Sequence, residues 1–165
     1  MHAIAYILAA LFAATAFARP AATTPPFEVS HIKVHEANGL NFNTTIEFTI
    51  HDPDPLTNAT SECSYLWATG SNDYPQAQYA PCGNSSFAWN MANYTNINSF
   101  VLGLEHVFID PAVGDYPYNE VTNFGKAIVT AEAFSCNLYG GQADCKQFRN
   151  STIKAPIYAT VAKRR

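Results

Sequence analysis

The sequence predicts one all-β domain, an antiparallel β-barrel or sandwich held by two local disulfides. Three observations predict it. Apolar side chains alternate with period two in several short runs, and turn formers separate those runs. Four cysteines, an even number, all lie in the body of the chain. Aromatic residues reach 13% while charged residues also make up only 13% of the 165 residues, a balance that suits a packed β core and excludes a disordered chain.

The opening MHAIAYILAALFAATAFA carries no Asp, Glu, Lys or Arg, and its apolar run from Ile4 to Phe17 has signal-peptide length, short for a spanning helix. Ala16-Phe17-Ala18 supplies the small-x-small cleavage pattern, so residues 1–18 are expected to leave and the mature chain to begin near Arg19. Residues 19–26, RPAATTPP, form a Pro/Thr linker. The β domain is expected over 27–162, followed by the basic tail 163–165.

Within the domain, Phe27, Val29 and His31 share one parity and Ile32 and Val34 the other, so the first strand holds a bulge or buries both faces. Ile46, Phe48 and Ile50 alternate with Thr45, Glu47 and Thr49; Phe87, Trp89 and Met91 are in register; Phe100, Leu102 and Leu104 lead into Val107 and Ile109. The run from Lys126 to Phe134 is read with Ile128 and Thr130 inward, and Ile157 to Val161 closes the sheet. Turns fall at Asn38-Gly39, Asp52-Pro-Asp-Pro, Cys82-Gly-Asn and Asp110 to Asp115.

Four cysteines allow three pairings. The sequential one, Cys63–Cys82 and Cys136–Cys145, is favoured because each enclosed segment holds turn formers: Gly70, Asn72, Asp73 and Pro75 in the first, Gly140 and Gly141 in the second. Zinc binding fails on spacing, since there is no C-x-x-C and no histidine beside a cysteine pair. Five sequons, at Asn43, Asn58, Asn84, Asn93 and Asn150, predict a glycoprotein exported to the extracellular space or cell wall. No second stretch is apolar enough to span a bilayer, so no membrane contact is expected after cleavage.

Residues 19–162 hold 6 basic against 13 acidic side chains, a net of −7, which argues against a nucleic-acid partner. His31 and His35 on one strand lie about 13 Å apart and cannot share a metal. The Asp52-x-Asp54 pair lacks the Gly and distant Glu of a calcium loop. Asp52, Glu62, Asp73, Glu105, Asp110 and Asp115 offer carboxylates for glycoside hydrolysis, but no motif nominates a nucleophile, and no cofactor is implied. Tyr74, Tyr79, Tyr116 and Tyr118 sit in loops between strands, and Tyr is favoured at recognition surfaces. They nominate a contact surface for an extracellular protein, a glycan or a small aromatic ligand.

The run Cys82-Gly83-Asn84-Ser85-Ser86-Phe87 leading into a strand, with Cys63 upstream and a Gly-rich stretch between Cys136 and Cys145, resembles the Alternaria major allergen-like family of fungal secreted proteins. The opening Phe27-Glu-Val-Ser-His-Ile-Lys and the closing Ala155-Pro-Ile-Tyr-Ala-Thr-Val are similar to its first and last strands. The resemblance implies a compact β-barrel with two sequential disulfides and a non-catalytic, effector- or allergen-like role. The chain lacks an extra cysteine near its mature N-terminus, so the intermolecular bridge of the family's dimers does not carry over. A glycan-binding module at a cell wall is the alternative reading, and a small extracellular glycoside hydrolase a further one.

Overall fold

A computed structural model describes residues 24–37 and 42–163. The expected signal peptide, most of the linker, the Asn38-Gly39 turn and the last two residues of the basic tail lie outside them. Eleven strands run from Phe27 to Ala162, and among the described residues the helical content is a single 3-10 turn, Ala131–Ala133.

The strands form two antiparallel sheets. In the first, β3 (Ala59–Ala68), β2 (Asn43–Asp52), β1 (Phe27–Ala37), β9 (Gln142–Gln147) and β8 (Phe134–Tyr139) lie side by side, and the short β10 (Ile153–Ala155) pairs with the start of β1. In the second the order is β11 (Ile157–Ala162), β7 (Glu120–Val129), β6 (Ser99–Ile109), β5 (Phe87–Asn96) and β4 (Ala80–Pro81). The chain is a sandwich. The closed barrel that the family resemblance implies is not formed, because no ladder joins β3 to β4. At that open edge Cys63 on β3 is bonded to Cys82 just beyond β4, and the Gly83 N–H donates to the Glu62 carbonyl at 2.8 Å. At the opposite side Pro156 breaks the final strand, which pairs with β1 before it and with β7 after it.

Both disulfides follow the sequential pairing. The second joins Cys136 and Cys145, direct cross-strand partners in the β8–β9 hairpin, whose turn places Gly140 and Gly141 at positive φ.

The core lies between the sheets, with Phe27, Val29, Ile32, Val34, Ile46, Phe48 and Ile50 packed against Phe87, Trp89, Met91, Phe100, Leu102 and Leu104. The parity switch in β1 is a bulge: register shifts between Ser30 and Lys33, and His31 sits at φ 56° with its side chain outside. That one residue lets Val29 and Ile32 both face inward.

The expectation for β7 is corrected. Ile128 and Thr130 point outward, and Val121, Asn123, Gly125, Ala127 and Val129 line the interior. The interior parity carries small residues because Phe27 crosses over Gly125. A Cβ there would stand 2.8 Å from the Phe27 ring and 3.2 Å from the Ala155 carbonyl. Phe27 supplies the bulk that β7 lacks.

Candidate functional site

The two outer faces of the sandwich differ in chemistry. On the first sheet, one row across the strands reads Ser64, Glu47, Lys33, Lys146 and Ser135. On the second sheet the register sets out Asn93, Val101 and Ile128 in one row, then Asn90, Gly103 and Lys126, then Ala88, Glu105, Phe124 and Ala159. The second face mixes Val101, Ile128 and Phe124 with polar groups where that row of the first is wholly polar, and it is the candidate site.

Its centre is a strip of three rings. Tyr79 meets Phe124 edge-on at 6.2 Å between centroids, and Phe124 lies 6.4 Å from Tyr158. The Lys126 ammonium stands 5.4 Å over the Tyr158 ring, a cation–π contact. Tyr158 is 57% exposed and Ile128, on the same face, 68%. Burial raises the Tyr79 hydroxyl well above its ordinary range, reinforced by hydrogen bonding to Tyr158 and by the charge of Glu105. Burial also raises the Glu105 carboxyl beside the strip. The site thus offers flat apolar rings, neutral phenol hydroxyls, one carboxyl group and one ammonium.

The first disulfide loop is clamped onto this face. Asn90 donates through Nδ2 to the Gln76 carbonyl at 3.1 Å, and the Met91 N–H donates to the Pro75 carbonyl at 2.6 Å. Gly103 makes the clamp possible, because a Cβ there would collide with the Asn90 amide and approach the Tyr79 hydroxyl to 3.4 Å.

The four nominated tyrosines do not share one surface. Tyr79 belongs to the strip. Tyr74 is half-buried, 5.7 Å from Trp67 and 5.3 Å from Tyr94, near the β5–β6 turn. Tyr116, 84% exposed, and the half-buried Tyr118 occupy the β6–β7 loop at the other end of β6, about 30 Å away at the usual strand rise. Sequence reasoning missed Phe124, Lys126 and Tyr158. Reading Ile128 as inward hid the outer face of β7; the signal that would have exposed it is Gly125-x-Ala127, small residues at the alternate positions.

The other sequence candidates have local roles. His35 Nδ1 is 2.8 Å from Asp144, across the β1–β9 ladder. Asp54 accepts from the Leu56 N–H within the turn, and Asp52 is buried against His106. Among the described residues no group of three or more His, Cys, Asp or Glu side chains is placed to hold a metal ion, and no helix is long and apolar enough to cross a membrane. All five sequon asparagines, Asn43, Asn58, Asn84, Asn93 and Asn150, are exposed. No protein-family model matches the chain, and no curated protein matches it in sequence.

Proposed function

We propose that the protein is an exported, non-catalytic binding protein, effector- or allergen-like in role, that docks a host or cell-wall partner on the Tyr79–Phe124–Tyr158 strip. One observation carries this reading: three aromatic rings, the outermost, Tyr158, exposed, line up on one sheet face, while the central row of the opposite face is polar. Two disulfides hold the scaffold rigid, so docking there orders few additional groups. The leader-like opening, the disulfides and the exposed sequons support an extracellular setting. The resemblance to the Alternaria major allergen-like family supports the same assignment.

The strip's chemistry favours a glycan as the ligand. A pyranose ring presents apolar C–H groups on its face and hydroxyls at its edge. Stacked on Phe124 and Tyr158, it would turn those hydroxyls toward Glu105 and Lys126.

Retention of the secreted, oxidised protein on insoluble wall polysaccharide tests the proposal. Tyr158→Ala and Phe124→Ala, on exposed and half-exposed side chains, are expected to weaken retention by about tenfold while leaving the circular dichroism spectrum intact. Full retention by both variants would remove the strip from the binding surface.

A further inference from the structure

The outer face of the first sheet holds an arrangement of charge that the fold alone does not compensate. Lys33 on β1 and Lys146 on β9 are direct register partners, both exposed on the same side. Their Cα atoms are about 5 Å apart in such a ladder, and like charges directly opposite each other destabilise a sheet. Lys33 has a counter-ion in Glu47 at 3.3 Å, its register partner on the other side. Lys146 has none among the described residues: its remaining neighbour across the sheet is Ser135. Asp144, two residues along β9, is engaged by His35. Arg149, in the loop after β9, likewise has no acidic partner among the described residues.

These cations border one groove. It has a volume of about 570 Å³ and runs along the β1 bulge between Ser30 and Lys33 on one side and Lys146 to Thr152 on the other. The groove exists because β1 changes partners here, from β10 at Val29 to β9 at Lys33. The buried Gln147 fills the gap in the ladder: Oε1 accepts from the Ile32 N–H at 3.0 Å, and Nε2 donates to the carbonyls of Val29 and Ser151 at 3.4 and 3.1 Å. The floor is therefore fixed and its polar groups satisfied, leaving the cationic rim to meet a ligand. Half of the Lys and Arg residues in 24–163 border this groove, in a chain whose net charge is −4.

We propose that this groove binds an oxyanion, which bridges Lys33 and Lys146 and accepts from the Arg149 guanidinium. The chemistry is shared by a free inorganic ion and by the acid groups of a uronic-acid polysaccharide. The site lies on the opposite sheet from the aromatic strip and does not depend on it.

The test follows thermal unfolding of the secreted, oxidised protein in sodium sulfate against sodium chloride of equal ionic strength, and in an oligomer of galacturonic acid. The same titrations use a Thr152→Ala form, so that sugar on Asn150 cannot mask the groove. Sulfate is expected to raise the midpoint of at least one form beyond the chloride control. Lys146→Glu is the decisive variant. It places a carboxylate opposite Lys33, so it should unfold at a higher temperature without added anion and lose the anion-specific shift. Arg149→Gln should weaken the response by about tenfold, and Lys163→Gln, beside β11 on the other sheet and outside both surfaces, should leave it unchanged. Oligomer binding that Lys146→Glu abolishes and that is at least about tenfold tighter than sulfate assigns the site to a polymer-borne acid group; equal or weaker Lys146-dependent binding assigns it to the free ion. Equal sulfate responses in wild type and Lys146→Glu, or none in either form, would overturn the proposal.

Discussion

Asp52 and His106 join the two sheets through a buried contact, with Asp52 Oδ2 2.7 Å from His106 Nδ1 and both side chains almost wholly inaccessible. Asp52 ends β2 and His106 lies in β6, so the pair crosses the sandwich. The Phe87 ring stacks on the imidazole at 3.9 Å, and Asp52 Oδ1 accepts from the Asp54 N–H at 3.0 Å. Burial pushes the Asp52 carboxyl up, but His106, the Asp54 N–H and the Thr57 hydroxyl outweigh it and hold the group below its ordinary value. No substrate can reach a pair this deep, so its role is to tie the sheets together.

Asp52→Asn should therefore cost stability, about 1–3 kcal/mol, because it weakens the buried hydrogen bonds that the carboxylate makes to His106 and the Asp54 N–H. The sign with pH follows from the lowered carboxyl. Its contribution is complete above the unfolded value near 3.8 and is lost as pH falls through the lower folded value. Urea midpoints of wild type and variant should differ most near neutral pH and converge well below pH 3.8.

Gly125→Ala should destabilise by about 1–3 kcal/mol, since the added methyl meets the Phe27 ring inside a closed core. Pairing it with Phe27→Leu should recover part of the loss. Thermal melts of the two single variants and the double variant would read this coupling.

The inter-sheet disulfide should matter more than the hairpin one. Chain-entropy estimates for separations of 19 and 9 residues are about 3.2 and about 2.6 kcal/mol. Cys63 and Cys82 also link the sheets covalently at an edge where no ladder joins them. Replacing both by Ser should lower the unfolding midpoint more than replacing Cys136 and Cys145 does.

Secreted material should begin near Arg19 and carry sugar on at least two of Asn43, Asn58, Asn93 and Asn150. Intact mass before and after enzymatic deglycosylation reads both features. Asn84, two residues from Cys82, is the least favourable acceptor.

Much of the fold was legible because period-two alternation survives wherever one sheet face is buried and the other wet. That is why Ile46, Phe48 and Ile50, and likewise Phe87, Trp89 and Met91, are inward as expected. The bulge at His31 was visible as a switch of parity. In β7 the rule failed: both parities carry apolar residues, and Phe27, nearly a hundred positions away in the chain, decides which one is inside. The strands around Cys63 and Cys136 are legible only as disulfide loops, because the polar Ser61 is buried while Leu66 and Leu138 are exposed, which blurs the alternation. The aromatic strip needs β3–β4 loop, β7 and β11 together, a register that only the folded sheet supplies.

Lysine acetylation footprinting, with and without a retained wall polysaccharide, tests the central claim most directly. Lys126 lies on the strip and Lys154 on the other sheet, where it pairs with Glu28. Docking on the strip predicts that bound ligand protects Lys126 from the reagent while Lys154 labels as in the free protein. Unchanged labelling of Lys126 with ligand demonstrably bound would contradict the account.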